Sequence, residues 1–248
     1  MTRQAAPADL KADATPGRRA KEPRIVPPPR DTILFKSAQA FCRVFTSTYF
    51  DLKVWGTEHV PRTGGVLFVA NHQSFLDPIL VGVRLPRALS YMAKSELFHV
   101  NPIFTWIIRS MGAFPVRQTG SAAGAIKESV ERLQAGHGLT IYPEGGRTET
   151  GEIGKIEKGV ALVVRKARVP VVPVAIDGAF EAFPIHRKMF RSFPIRMLYG
   201  PPMDLADQRP EEIVAAIDRG IRGLFGRLRD YRQREKLAPR PNLSPLSP

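Results

Sequence analysis

A histidine and an aspartate stand five positions apart at the end of an apolar stretch. They lie in the segment from Asn71 to Pro78, NHQSFLDP, which follows the apolar run from Val66 to Ala70. A separation of five suits neither regular element, because it sets two side chains well apart around a helix and on opposite faces of a strand. Pro78 disfavours the helical conformation for Asp77 and suits the first position of a following helix. The chain is therefore predicted to turn between His72 and Asp77.

This pair of side chains suits a general base and its orienting carboxylate. A neutral imidazole can take a proton from a hydroxyl near pH 7. A carboxylate on the other ring nitrogen fixes the tautomer and stabilises the cation that forms. Taken alone, the pair has a simpler explanation, in which Asp77 caps the next helix and His72 is a surface residue at a strand end. The chemical interpretation therefore depends on what else gathers beside the pair.

Two basic residues also follow apolar runs. Lys94 comes shortly after the run from Leu89 to Met92, and Arg117 comes directly after the run from Ala113 to Val116. Ligands of open α/β sheets gather at strand ends, so these two cations are candidate ligand-binding residues. Most lysines and arginines are simply solvated, which is the alternative for both.

A third segment of this kind follows the apolar run from Leu139 to Tyr142. It comprises Pro143 and the residues Glu-Gly-Gly-Arg at 144–147. Glycines at 145 and 146 let the backbone approach a ligand closely, and Arg147 offers a bidentate fork for phosphate. The alternative is a turn whose glycines serve only a positive φ angle. If the strand ends face the same way, this segment lies near His72.

Apolar runs and helical spacings alternate along the chain. Strands are predicted at 52–55, 66–70, 89–92, 113–116, 139–142, 171–176 and 195–199. Helices are predicted from Pro78 and at about 102–110, 122–134, 159–166 and 211–234. This alternation predicts an α/β fold with a largely parallel central sheet flanked by helices.

The ends of the chain differ from this central part. Residues 1–30, rich in proline and charge, and residues 237–248 are predicted to be loose tails. The domain between them is predicted to span 53–236, preceded by an amphipathic helix at 31–52. One face of that helix carries Leu34, Ala38, Phe41, Phe45 and Tyr49. It either packs on the core or lies in a membrane interface, where its high density of Phe would suit it.

The amino-acid composition limits the classes of partner that this protein is expected to bind. The chain has 37 Lys and Arg against 23 Asp and Glu, a formal charge of +14, which favours a phosphate-bearing partner such as nucleic acid, anionic lipid or a phosphorylated metabolite. Cys42 is the only cysteine, so no disulfide and no cysteine-based metal site is expected. No secretory signal and no window approaching the roughly 20 apolar residues of a membrane-spanning helix is apparent. We expect a soluble or peripheral membrane protein.

Four blocks of sequence, in order and with suitable spacing, resemble those of the glycerolipid acyltransferases of the PlsC type, the 1-acylglycerol-3-phosphate acyltransferases. The blocks lie at 71–78, 112–117, 143–147 and 169–174. The resemblance covers roughly 54–202. It implies a glycerol-3-phosphate acyltransferase-like fold and a location in the cytoplasm or on the cytoplasmic face of a membrane.

The resemblance also implies roles for particular residues. His72 would deprotonate the acceptor hydroxyl, and Asp77 would hold it. The alkoxide would attack the thioester of acyl-CoA or acyl carrier protein, a co-substrate rather than a cofactor, without a covalent acyl-enzyme. No metal is implied, and Gly145 and Gly146 are also candidate donors to the tetrahedral oxyanion. The positions implied to bind lysophosphatidic acid are Lys94, Arg117, Glu144, Gly145, Gly146 and Arg147.

Two departures and two other classes of protein leave alternatives open. Gly146 stands where the family usually has Thr, and Tyr142 where Phe is common, so another lysophospholipid or a lyso-aminolipid is an alternative acceptor. A serine hydrolase or thioesterase could use Ser74, although the Gly-x-Ser-x-Gly elbow is missing there. A basic protein that binds membranes or nucleic acid is the non-enzymatic alternative. No nucleic-acid motif is recognisable, so we expect no nucleic-acid partner.

Overall fold

Helices and strands alternate along the chain in the computed structural model, which describes residues 33–87, 89–94, 98–99, 101–102, 105, 112–116, 122–187 and 189–237. The helices are α1 (Ile33–Tyr49), α2 (Asp77–Val83), α3 (Ala122–Gln134), α4 (Gly159–Ala167), α5 (Ala179–Ala182) and α6 (Pro210–Leu237). The strands are β1 (Lys53–Trp55), β2 (Val66–Ala70), β3 (Leu89–Lys94), β4 (Ala113–Val116), β5 (Gly138–Ile141), β6 (Val171–Asp177) and β7 (Arg196–Tyr199). The tail at 1–30, the helix at 102–110 and Arg117 lie wholly or largely outside the described residues.

The seven strands form one sheet in the order β1-β7-β6-β2-β5-β3-β4. Strands β2 to β6 run in the same direction, whereas β7 pairs antiparallel with β6 and carries β1 parallel to itself. Between β6 and β7, α5 is the one helix among the described residues of 178–195, and this segment brings the chain back at the same edge of the sheet, as antiparallel pairing permits. The prediction of a largely parallel α/β sheet is confirmed.

Strand β2 lies at the centre and is buried along its whole length. Its residues Leu67 and Val69 pack with α3, α4 and α6, while Val66, Phe68 and Ala70 pack with α2 and the end of α1. An apolar run without alternation is what a strand covered on both faces requires. His72 therefore follows the most enclosed strand of the sheet.

Helix α1 packs on the core along one side and exposes apolar side chains along the other. On one side, the Arg43 guanidinium donates to the carbonyl of Val83 at 2.7 Å, and Phe50, just beyond the helix, is fully buried. On the other side, Phe41 and Val44 are 69% and 64% exposed. Among the helices in the described ranges, none is both long enough and apolar enough to cross a membrane.

Asn71 joins the end of β2 to the end of β6. Its side-chain amide donates to the carbonyl of Ile176 and accepts from the Ile176 amide, both at 2.8 Å, and the residue is only 1% exposed. The side chain thus satisfies two buried backbone groups of β6 that would otherwise lack a partner. It also fixes the residue directly before His72.

We expect Asn71→Leu to destabilise the fold by about 2–4 kcal/mol, because it leaves a buried N–H and a buried C=O of Ile176 unpaired. Urea unfolding measures the difference. Gln134→Ala is the control, since the exposed Gln134 donates to the Lys166 carbonyl at 3.1 Å, where water can replace it. The control should change stability by about 0.5 kcal/mol or less. Equal stability of Asn71→Leu and the unaltered protein would contradict this account.

Candidate active site

The predicted turn between His72 and Asp77 is present, and one carboxylate oxygen holds it. Nδ1 of His72 lies 2.7 Å from Oδ2 of Asp77, and the same oxygen accepts the amides of Gln73 and Ser74 at 2.7 and 2.8 Å. Asp77 is fully buried and is itself the first residue of α2, one position earlier than predicted for the helix. The carboxylate therefore closes the turn and binds the imidazole at once.

This contact assigns the tautomer of His72. The carboxylate accepts the proton on Nδ1, so Nε2 of the neutral ring is the nitrogen that can accept a further proton. The imidazole also stacks on the Tyr142 ring, with centroids 4.1 Å apart and planes at 18°. Its side chain stays 19% exposed. The ring is thus fixed by its edge and one face while remaining open to a substrate.

Glu144 ties the loop after β5 to the same turn. Its Oε1 accepts the His72 amide at 2.8 Å, and its Oε2 accepts the Gly154 amide at 2.6 Å. The Thr148 amide donates to the His72 carbonyl at 2.8 Å. Both Glu144 oxygens already have partners within the protein, so Glu144 positions His72. A direct contact of Glu144 with the acceptor stays a prediction.

The two glycines of this loop differ in conformation and bonding. Gly145 has a φ of +74°, and its amide donates to the Tyr142 carbonyl at 3.1 Å. The need for a positive φ therefore explains Gly145, and its N–H is already used. Gly146 is exposed and has a negative or extended φ, and its amide has no partner within the described ranges. Of the two candidate oxyanion donors, only Gly146 keeps an available N–H.

Arg147 brings a positive charge to the turn. Its guanidinium lies 3.4 Å from the centroid of the Phe75 ring, in a cation–π contact, and the side chain is partly buried. Burial lowers the pKa of Arg147, while the nearby carboxylate of Asp77 acts in the opposite direction. An arginine stays charged in this setting. The described residues of the site therefore neutralise the charge of Arg147 only in part.

The remaining predicted residues are less closely placed. Lys94 ends β3, in register with Val116, at the same edge of the sheet as His72 but separated from β2 by β5. Arg117 lies outside the described residues. No three His, Cys, Asp or Glu side chains within the described parts of the chain group as a metal site would need.

Ser74 does not face His72. Its hydroxyl donates to the Phe183 carbonyl at 2.9 Å and accepts the Leu76 amide at 3.2 Å, and the residue is fully buried. The imidazole Nδ1 is directed to Asp77 instead. This geometry is unfavourable to the serine hydrolase alternative, because the Ser74 proton is directed to a backbone carbonyl.

Two positioning residues were not identified from the sequence. Gln73 donates to the Gly151 carbonyl at 3.0 Å and accepts the Phe180 amide at 3.3 Å, so it joins the turn to the loop at Gly151 and to helix α5. Tyr142 was noted only as a departure from the usual Phe, not as the residue that stacks on His72. A buried amide in a polar segment after a strand is a weak signal, since its partners are far away in sequence.

The comparisons with known proteins agree with this fold. The family described as Acyltransferase matches residues 51–177, just over half of the chain. A 1-acyl-sn-glycerol-3-phosphate acyltransferase of Bacillus subtilis is 27% identical over 175 residues, which cover 70% of this chain and 84% of that protein. One from Streptococcus pneumoniae is 29% identical over 72% of this chain and 63% of that protein. A chloroplastic one of Arabidopsis thaliana is matched over 42% of its length.

A solved structure is also similar. The crystal structure of the 1-acyl-sn-glycerophosphate (LPA) acyltransferase PlsC from Thermotoga maritima has a TM-score of 0.65 and 26% identity, covering 84% of this chain and 81% of that one. The α/β fold is thus shared with an acyl-transfer enzyme. This chain belongs to the acyltransferase family and is an O-acyltransferase of the PlsC type.

The environment of Glu144 predicts how the stability of the fold changes with pH. Burial raises the pKa of its carboxyl above the ordinary value near 4.5, against the opposing effect of the Gly154 and His72 amides. The folded state therefore favours the protonated form, so this contribution to stability is full below about pH 4.5 and is lost as pH rises through the raised pKa. The unfolding free energy of the unaltered protein relative to Glu144→Gln should fall over that pH range.

Urea unfolding at a series of pH values measures this difference. Glu157→Gln, which alters an exposed glutamate of the same loop, controls for the loss of one carboxylate. A relative stability that instead rises with pH over the same range would show that the two amide donors outweigh burial.

Proposed function

We propose that this enzyme transfers a fatty acyl group from acyl-CoA or acyl carrier protein to the free hydroxyl of 1-acyl-sn-glycerol-3-phosphate, giving phosphatidic acid. The observation that carries the proposal is the pairing of His72 with the fully buried Asp77, which leaves Nε2 as the proton acceptor. The names of the relatives, each a 1-acylglycerol-3-phosphate acyltransferase, support this acceptor.

The proposed reaction is a direct transfer. Nε2 of His72 takes the proton of the acceptor hydroxyl as its oxygen attacks the thioester carbonyl, and Asp77 stabilises the imidazolium that forms. The tetrahedral intermediate collapses with cleavage of the C–S bond. The proton on Nε2 neutralises the departing thiolate, so the base is regenerated in the same cycle. No acyl-enzyme is required, which agrees with the buried position of Ser74.

A phosphate-bearing acceptor fits the charges of the site. Arg147 lies in contact with Phe75, three positions from His72, and we propose that it contributes to phosphate binding. Lys94 and Arg117 are proposed to add to this field from the neighbouring strand ends. A lyso-aminolipid without phosphate would leave these cations without a phosphate partner. The charges therefore favour a lysophospholipid, and the relatives favour lysophosphatidic acid among them.

The same proposal places the enzyme at a membrane surface. Acceptor and product are amphiphiles, and we propose peripheral binding to the cytoplasmic face of an anionic membrane. Phe41 and Val44 of α1 are exposed large apolar side chains, as an interfacial helix requires. The formal charge of +14 would add attraction to anionic lipid.

His72→Ala should lower kcat by about 10²–10⁴-fold or more, because the hydroxyl then lacks its general base. Thiol release from an acyl-CoA, followed with lysophosphatidic acid and with no acceptor, measures the effect, and mass spectrometry identifies the lipid product. His59→Ala is the matched control, since His59 is exposed in a short helical turn between β1 and β2.

The outcomes separate the alternatives. Near-normal turnover by a folded His72→Ala variant would exclude the proposed mechanism. Thiol release that does not require an acceptor would favour a thioesterase. Release with a different lysophospholipid, and none with lysophosphatidic acid, would retain the chemistry and change the acceptor.

A further inference from the structure

A continuous series of aromatic rings leads across the surface from α1 towards the His72 turn. Phe41 stacks on Phe45 with centroids 6.0 Å apart, and Phe45 stacks on Tyr49 at 5.3 Å. Phe190, far along the chain, contacts Phe45 at 5.9 Å and Tyr49 at 5.6 Å. The segment before β7 is thereby joined to α1.

The series continues to the active site. Phe183 lies 6.1 Å from Phe190 and 5.8 Å from Phe75, which belongs to the His72 turn. Phe75 in turn carries the guanidinium of Arg147 on its ring. We name this series the aromatic ridge: Phe41, Phe45, Tyr49, Phe190, Phe183 and Phe75.

The exposed apolar side chains of the protein are concentrated on or beside the ridge. Of the eight large apolar side chains that are exposed in the described ranges, six lie on the ridge or next to it in sequence. Those six are Phe41, Val44, Tyr49, Phe75, Met189 and Phe190. Met189 is the most exposed of all, at 79%. Exposed apolar groups concentrated in this way mark an interaction surface.

The two segments that carry most of the ridge contain basic residues and no acidic residue. The segment 183–194, FPIHRKMFRSFP, has three Lys or Arg residues and one His but no acidic residue. Helix α1 carries Lys36 and likewise has no acidic residue, while its Arg43 is directed to the Val83 carbonyl on the packed side. Aromatic and apolar side chains flanked by cations match a bilayer surface, where acyl chains lie below anionic phosphates.

We propose that the segment from Phe183 to Phe190 is a second membrane-contact element, which inserts Met189 and Phe190 into an anionic bilayer beside α1. The hydroxyl of Ser74 donates to the Phe183 carbonyl, so this element is attached to the His72 turn. Its insertion sets the His72 turn against the lipid surface. The inference rests on the proposed function, because that function identifies the contacted surface as a membrane. It adds a second membrane-contact element to helix α1.

The test is binding to vesicles of phosphatidylglycerol and phosphatidylcholine, measured by co-sedimentation. Met189→Ser should weaken binding several-fold, and Met189→Ser with Phe190→Ser by about 10–100-fold, from the apolar area withheld from the bilayer. Met189 is 79% exposed, so its substitution should leave the fold intact. Leu162→Ser is the control, since Leu162 is 45% exposed but lies on α4, across the sheet from α1. The control should bind as the unaltered protein does.

Turnover distinguishes this inference from the proposed function. The double variant should lose activity on long-chain acceptors held in vesicles and keep it on short-chain, water-soluble ones. If the unaltered protein uses neither acceptor, the proposed function fails, and vesicle binding still decides this inference.

Two results would overturn it. One is equal vesicle binding by the double variant and the unaltered protein. The other is loss of self-association in the double variant with vesicle binding unchanged, which would assign the surface to a second copy of the chain.

Discussion

One oxygen atom holds the active site in place. Oδ2 of Asp77 accepts the imidazole N–H of His72 and two consecutive backbone amides, and these three donors offset part of the cost of burying the carboxylate. A second carboxylate, Glu144, accepts the amide of His72, and the Thr148 amide donates to the His72 carbonyl. His72 is thus held through its side chain, its N–H and its C=O. For the base that we propose His72 to be, this orientation would allow proton transfer without reorganisation when the substrate binds.

The sheet brings the two carboxylates together. Asp77 belongs to the turn after β2 and Glu144 to the loop after β5, and these strands are parallel neighbours whose ends meet at one edge. On the other side of β2, Asn71 ties the same turn to β6, which leads into the segment that carries Phe183 and Phe190. The turn therefore connects a polar network, which orients the base, with an aromatic surface, where we propose that lipid is met. Ser74 forms part of this connection, because its hydroxyl donates to the Phe183 carbonyl.

Local sequence patterns predicted those parts of the fold that depend on residues close together in the sequence. The apolar run at 66–70, the turn before Pro78 and the helix after it followed from side-chain period and backbone preference. The antiparallel pairing of β7 did not, because an apolar run carries no direction. The His72 amide that Glu144 accepts lies 72 positions away in sequence, so local patterns could not reveal this positioning contact, and the contact of Glu144 with the acceptor stays a prediction. The choice between core packing and membrane contact for α1 stayed open, because one face of the helix is packed on the core and the other is exposed.

The central claim is that His72 and Asp77 act as one unit in proton transfer, and a double-mutant cycle on kcat/KM tests it most directly. The variants are His72→Ala, Asp77→Asn and the two combined, with urea unfolding to confirm that each is folded. Asp77→Asn alone should lower kcat/KM by about 10²–10⁴-fold, because the amide supports the wrong imidazole tautomer. In the His72→Ala background it should cause little further loss, as expected of residues that act together. Losses that multiply independently, or near-normal activity of Asp77→Asn, would contradict the account.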